Sequence, residues 1–403
     1  MSRNGVQGFL AERLVQILAA RRLSQVQLAA MVGVSTATIS KWKSGYQAPE
    51  HEALERLASV VNVLPEWFTR PSSLQLSVPH FRSNASAHDA AREMLAARLN
   101  WAQDIAIALA DFVDYPVVNV PLRPYTDPEQ ITNADIEQAA SECREAWRLG
   151  SSVIQDLALA AEGAGIILVR EETGIAQIEG LSAWSEALAR PFVLLSSDKD
   201  NGYRSRFDLA HEIGHIVLHR HISRPDEPHR YKLLEQQAHS FAGALLLPGE
   251  TFARDVRVPP SLDDLLVLKR RWRVSVGAMV MRLHALGLVD DDQKLALFKR
   301  RSARWGAKSE PGDNDLAPEQ PRLLRRTIDL LVDEKVMPLE AVPYHFGLSA
   351  LDVEMIAGLP RGYFSGRSNL VHFSTLKGTV STTAASPSTR HRTVLPFKAQ
   401  SSR

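Results

Sequence analysis

The sequence of 403 residues has a single cysteine, Cys143, no long uncharged apolar run and almost no net charge. One thiol excludes an internal disulfide and is typical of proteins from a reducing compartment. A bilayer span needs about 18 apolar residues, and no segment without charge reaches that length. Glu12 and Arg13 interrupt the apolar run near the N-terminus, so we expect no signal peptide. These absences predict a cytoplasmic protein that makes no contact with a membrane.

The charge is distributed unevenly, although the net charge is only +1. Residues 1–70 contain eight Lys or Arg and five Asp or Glu, whereas residues 361–403 contain seven Lys or Arg and no acid. Hydrophobic residues make up 45% of the chain and charged residues 23%, which is ordinary for globular proteins. Binding to nucleic acid is therefore not indicated for the chain as a whole, but remains open for its basic parts.

Breaks in the sequence pattern divide the chain into five regions, and the expected fold is mainly α with a small β-sheet. The two β-rich runs are residues 164–172 and 189–197. We expect short helices in residues 1–70. Residues 71–130 are expected to contain a linker (71–86) and a connecting helix (87–113), and residues 131–300 the β-rich runs among helices. Further helices are expected in residues 301–364, followed by a basic disordered tail over residues 365–403.

The segment SQVQLAAMVGVSTATISKWKSG, residues 24–45, predicts two helices joined by a short turn. We expect Ser24 and Ser35 to cap the helices and Gly33 to supply the left-handed backbone between them. The leading end of such a second helix can enter a major groove, where small polar side chains meet base edges. A helical hairpin used for protein contact is the alternative. The residues expected to contact bases or phosphates are Gln25, Ser35, Thr36, Ala37, Thr38, Ser40, Lys41 and Lys43.

This segment resembles the helix-turn-helix of the phage-repressor-like Xre regulators. The resemblance covers residues 8–68 and lies in the pattern S-Q-x-x-L-A-x-x-x-G-V-S-x-x-x-I-S-x-W. It implies that the partner is a double-stranded DNA operator. Because such domains read half-sites as dimers, it also implies a homodimer.

The segment FDLAHEIGHIVLHRH, residues 207–221, places His211, Glu212 and His215 inside an apolar helical run. Residues four apart share a helix face, so both imidazoles can reach one ion. Glu212 can then contact a water on that ion and act as a general base. The alternative is a buried helix that carries two hydrogen-bonded histidines, since unpaired imidazoles would be costly there.

Two downstream residues, His221 and Glu235, compete for the position of third ligand. The spacing of His221 matches the third histidine of metzincins, but Leu218 stands where those proteins have a helix-breaking glycine, so we expect His221 to miss the ion. Glu235 precedes by one turn an apolar stripe formed by Ala238, Phe241, Ala242 and Leu245. A carboxylate on such a stripe needs a cation, and Zn²⁺ would supply it. Two histidines and one glutamate leave a fourth position for water, which is typical of catalytic zinc sites.

Residues 150–300 resemble the ImmA/IrrE-family metallopeptidases in the motifs RFDLAHEIGHIVLH, ExxAxxFAxxLLLP and LKRRWRVSVGAMVMRLHALGLV. Relatives commonly carry Asp or Asn where this chain has His239, and often Glu where it has Gln237. The resemblance implies an α+β zincin-like peptidase domain, a helical platform beside it and a C-terminal helical extension. It also implies that zinc is bound by His211, His215 and Glu235, with Glu212 as the catalytic base.

The two resemblances together predict a DNA-binding transcriptional regulator that carries a zinc-dependent endopeptidase. The expected substrate is a protein, in particular a repressor. The oxyanion of peptide hydrolysis needs a hydrogen-bond donor, for which the candidates are Tyr203, His219, Tyr231 and His239. A DNA-binding regulator with a non-catalytic, protease-like sensing domain is the main alternative, and an antitoxin-like partner of a toxin is a third.

Overall fold

The computed structural model describes residues 5–73, 76, 89–174, 179–222, 227–306 and 308–365. Within these residues the chain forms sixteen α-helices and one three-stranded sheet, which confirms the expected mainly α fold. None of the helices described is long and apolar enough to cross a membrane. Most of the predicted linker 71–86, and the tail from residue 366, lie outside the described residues. The domain boundaries stay a prediction.

Short helices form the N-terminal bundle, as predicted. The Ser24 side chain accepts a hydrogen bond from the Gln27 amide, the Ser35 side chain accepts one from the Thr38 amide, and Gly33 has φ 77°. The predicted caps and the predicted turn are therefore both confirmed. The helices are α1 (Ala11–Arg21), α2 (Gln25–Val32), α3 (Thr36–Lys43) and α4 (His51–Val61), and a 3₁₀ helix follows over Pro65–Thr69.

A long helix and three C-terminal helices share one hydrophobic core with the N-terminal bundle. Trp101 of the long helix packs edge-on against Trp67 of the bundle, with ring centroids 6.0 Å apart. Such aromatic pairs add to the stabilisation that comes from area burial alone. The N-terminal bundle is therefore packed onto the long helix and the C-terminal helices. The helices are α5 (Asp89–Ala110), α14 (Leu323–Asp333), α15 (Ala341–Phe346) and α16 (Ala350–Ala357).

The sheet has three strands, β1 (Ile167–Glu171), β2 (Gly180–Ser185) and β3 (Arg190–Ser196), in the order β1-β3-β2. β1 is parallel to β3, and β2 is antiparallel to it. Sequence analysis predicted β1 and β3 but missed β2. The sequence of β2, GLSAWS, has no β-branched residue, so pairing with β3 and burial, not intrinsic propensity, account for this strand.

A second hydrophobic core lies on the other face of the sheet. Alternate strand residues divide between the two faces, as the period of two requires: Val169 and Leu194 join the first core, whereas Leu168 and Val193 join the second. The helices of the second core are α6 (Asn133–Ala146), α7 (Leu157–Gly163), α8 (Gly202–His219), α9 (Pro228–Leu246), α10 (Gly249–Asp255), α11 (Leu262–Trp272), α12 (Val276–Ala285) and α13 (Asp291–Trp305).

Asp352 of α16 is the centre of an ionic network that joins four parts of the fold. Its carboxylate accepts hydrogen bonds of 2.6 and 2.5 Å from Arg21 of α1 and lies 3.5 Å from Arg98 of α5. Arg98 also lies 3.7 Å from Glu171 of β1. Burial raises the pKa of the Glu171 carboxyl to about 7, although the charge of Arg98 opposes this. The network therefore ties the bundle, the long helix, the sheet and the C-terminal helices together.

Asp352→Ala is expected to lower the free energy of unfolding by about 3 kcal/mol, because it leaves two largely buried guanidinium groups without their shared carboxylate. Glu52→Ala is the control, since Glu52 pairs with Arg56 at the surface and such pairs contribute little. Urea denaturation followed by circular dichroism measures both variants. Equal loss of stability in the two would contradict the assignment.

Candidate functional site

Helices α8 and α9 lie against each other and carry the residues of the HEIGH motif and Glu235. Gly214 permits this close approach: a Cβ at this position would lie 3.1 Å from the Phe241 ring and 3.2 Å from the Ala238 backbone. A larger residue would require these neighbours to shift by a few tenths of an ångström or more. The glycine between the two histidines therefore helps the two helices to approach closely.

The structure brings His211, His215 and Glu235 together in a buried position. The Nε2 atoms of His211 and His215 are 3.1 Å apart, and the Glu235 carboxylate oxygens lie 3.4 Å from the first and 3.5 Å from the second. Donors around a tetrahedral ion with bonds of about 2.0–2.1 Å, the length of zinc–imidazole bonds, lie about 3.3–3.4 Å apart. Oε2 of Glu235 faces His211 and Oε1 faces His215, so the two ring nitrogens and the carboxylate lie at separations close to those of donors around one such ion.

Burial and neighbouring side chains together determine the charge states of His215 and Glu235. Burial lowers the pKa of His215, so the ring is held in the neutral form that binds metals. Burial also acts to raise the pKa of Glu235, but the two histidines that face its carboxylate outweigh this effect and hold the pKa well below the usual range. An ionised carboxylate among neutral imidazoles is a set of lone pairs that needs a cation.

A chain of hydrogen bonds orients the His215 ring through its Nδ1 atom. The Gln237 amide nitrogen donates to the Pro128 carbonyl (2.7 Å), so its Oε1 accepts from His219 Nε2 (3.1 Å). His219 Nδ1 is then the acceptor for His215 Nδ1, 3.0 Å away. This leaves His215 Nε2 with its lone pair directed towards His211 and Glu235. Partners of this kind fix the tautomer of metal-binding histidines.

Glu212 follows His211 on α8 and is only 6% exposed. Its carboxylate lies against Gly180 at the start of β2, where an added Cβ would come within 2.9 Å of Oε1. The predicted catalytic base therefore lies between α8 and the edge of the sheet, in close contact with the position of Gly180.

Two of the four oxyanion candidates are engaged elsewhere. Tyr203 lies two turns before His211 and contacts Lys269 of α11, whose Nζ is 4.6 Å from the ring centroid. His219 is fully buried in the hydrogen-bond chain behind His215. His221, which was expected not to reach the ion, is an exposed residue that follows the end of α8.

Tyr231 is placed to act as a donor at the site. Burial raises the pKa of its hydroxyl, and the charges of Glu235 and Glu212 raise it further, so the proton stays on the oxygen at neutral pH. The hydroxyl oxygen is buried, and both carboxylates are close enough to act on its pKa. A protonated tyrosine in this position can donate a hydrogen bond to an oxygen that develops negative charge.

Sequence analysis did not assign His239 to the metal site. A ring nitrogen of His239 lies within 4.8 Å of ligand atoms of His211 and Glu235. Because His239 follows Glu235 by four residues, the two share a face of α9, and this spacing was the signal that could have revealed it.

The predicted DNA-contacting residues lie on and beside α3. Ile39 and Trp42 are buried beneath it, as expected. The Ser35 and Thr38 hydroxyls are hydrogen-bonded to each other at 2.8 Å, and the Ser35 hydroxyl caps α3 by accepting from the Thr38 amide. Gln25 and Thr38 are half-buried, and the exposed residues are Ser35, Thr36, Ala37, Ser40, Lys41 and Lys43.

Two family models match the chain, one described as helix-turn-helix over residues 14–68 and the other as IrrE N-terminal-like domain over residues 161–284. The chain joins a helix-turn-helix domain to an IrrE N-terminal-like domain. The first is a DNA-binding domain, and the second belongs to a metallopeptidase family. No curated protein sequence matches the chain.

Glu235→Ala is expected to lower metal affinity by more than about 100-fold, because it removes a ligand and not merely a supporting residue. Gln237→Leu breaks the hydrogen-bond chain behind His215 and is expected to lower affinity by about 10–100-fold. Elemental analysis and chelator competition on the purified proteins measure both effects. Glu212→Gln is the control that retains metal, and undiminished metal binding by Glu235→Ala would move the third ligand elsewhere.

Lys41→Ala is expected to weaken binding to all DNA sequences alike and to reduce the salt slope by about 1, because a phosphate contact is lost. Thr36→Ala is expected instead to change which sequence is preferred. Fluorescence anisotropy with operator and scrambled duplexes at several salt concentrations measures both. Lys335→Ala, an exposed lysine after α14, is the control, and an equal effect of this substitution would contradict the predicted surface.

Proposed function

We propose that the protein is a cytoplasmic DNA-binding transcriptional regulator with a zinc-dependent endopeptidase. The observation that carries this proposal is the spacing of His211 Nε2, His215 Nε2 and the Glu235 carboxylate, 3.1–3.5 Å, in a buried site beside Glu212. Two imidazoles and one carboxylate are a donor set typical of catalytic zinc. The exposed α3 in the same chain supports the regulatory half.

The bound ion would supply a water made acidic enough to attack at neutral pH. Glu212, which follows His211 on α8, would accept the proton of this water and pass it to the leaving amine. Tyr231 would donate a hydrogen bond to the oxygen of the attacked carbonyl, since its raised pKa keeps the proton available. The Gln237–His219 chain would keep His215 in the ligand orientation throughout.

The substrate we infer is an extended protein segment. In the sheet as described, β2 pairs with β3 on one side only, and it begins beside Glu212 at Gly180. A peptide that added to the other side of β2 through main-chain hydrogen bonds would run past the site. A repressor bound near the same operator fits this role, because shared DNA raises its effective concentration at the peptidase. Binding as a homodimer to two half-sites is part of the proposal.

Glu212→Gln is expected to lower kcat/KM by about 10²–10⁴-fold without loss of zinc, because it removes the base and not a ligand. Tyr231→Phe is expected to lower kcat by about 10²–10³-fold, the range for one oxyanion donor. Both are measured by mass spectrometry on a proteome-derived peptide library. Tyr46→Phe, at a tyrosine 81% exposed, is the control. Full turnover by Glu212→Gln would dismiss the peptidase.

One observation favours the second candidate function, a DNA-binding regulator whose protease-like domain senses and does not cut. A ring nitrogen of His239 lies within 4.8 Å of ligand atoms of His211 and Glu235, so it could occupy the position that a catalytic zinc site keeps open. Whether His239 binds the ion therefore decides whether the site has an open ligand position before substrate binds.

A further inference from the structure

His239 is presented to the metal site by the helix that carries Glu235. The two residues are one turn apart on α9, and the His239 ring packs edge-on against His211, with centroids 4.4 Å apart and an interplanar angle of 71°. Ligand atoms of His211, Glu235 and His239 all lie within 4.8 Å of one another. The outer side of the His239 ring contacts Phe207 at 5.8 Å.

A main-chain hydrogen bond sets the tautomer of His239. Its Nδ1 lies 2.7 Å from the carbonyl oxygen of Glu235. Because a carbonyl oxygen only accepts, Nδ1 carries the proton and Nε2 carries the lone pair. A neutral ring in this state cannot donate from Nε2, which argues against His239 as the oxyanion donor. It can bind a cation through Nε2, and an Nδ1 bond to a main-chain carbonyl is the usual support of a metal-binding histidine.

We propose that His239 is a fourth protein ligand of the metal, which closes the site at rest and leaves it when substrate enters. This rests on the proposed metal site of His211, His215 and Glu235. Corners of the tetrahedron are about 3.3–3.4 Å apart. The ligand atoms of His211, Glu235 and His239 lie within 4.8 Å of one another, so the His239 ring would move closer to the other two residues to bind the same ion.

Exposure distinguishes His239 from the other ligands. His211, His215 and Glu235 are 8%, 3% and 9% exposed, whereas His239 is only half-buried. It is therefore the ligand that can rotate away without disturbing the core. Three imidazoles and one carboxylate complete a four-coordinate shell, which is typical of closed sites. The peptidase would then be latent until a bound segment displaces His239.

The test compares the wild type with His239→Asn as full-length proteins, with His229→Asn as the matched control on the same helix, where the side chain is 70% exposed. Chelator competition measures Zn²⁺ affinity. The visible absorption of the Co²⁺-substituted proteins, with and without azide, measures whether a ligand position is open. We expect His239→Asn to bind Zn²⁺ about 10–100-fold more weakly and azide to change only its spectrum. We also expect this variant to cleave peptides faster than the wild type.

Unchanged Zn²⁺ affinity in His239→Asn, together with an equal azide response in both proteins, would overturn the proposal. Cleavage is read separately. If neither protein cut any peptide while affinity and spectra changed as expected, His239 would stand as a ligand and the peptidase proposal would fail. If the wild type bound no Zn²⁺, both proposals would fail.

Discussion

An ionised carboxylate and two imidazole lone pairs meet within 3.5 Å of one another in a buried space between α8 and α9, and this arrangement needs a positive charge. Without one, the buried charge of Glu235 would carry a desolvation cost of several kcal/mol. A metal ion removes this cost, and its binding energy would then contribute to the stability of the helix pair. The other features of the site hold the donors at this spacing.

Support for the donors comes from several parts of the chain. Gly214 lets α8 and α9 approach, and the chain from His219 through Gln237 to Pro128 turns His215 Nε2 towards His211 and Glu235. The sheet separates two hydrophobic cores, one shared with the DNA-binding bundle and one containing α8 and α9. Asp352 and Arg98 link that bundle to β1 through ion pairs. The bundle and the helices α8 and α9 therefore both pack on the same sheet.

Local rules were enough to predict much of this arrangement. The i, i+4 spacing paired His211 with His215, helix periodicity put Glu235 on a buried stripe, and the Ser24 cap followed from its side chain. Long-range features were out of reach. β2 exists through its pairing with β3, and Arg21 meets Asp352 across 331 residues. His239 was predicted only as an oxyanion candidate, although its position one turn after Glu235 places both residues on one face of α9.

The location of the metal tests the central claim most directly. Crystals of the zinc-loaded protein, measured on both sides of the zinc absorption edge, would place the ion by anomalous scattering without any assumption about activity. We expect one strong peak per chain, at bonding distance from Nε2 of His211, Nε2 of His215 and the Glu235 carboxylate. A peak elsewhere, or a Glu235 carboxylate turned away from an ion held by the two histidines, would contradict it.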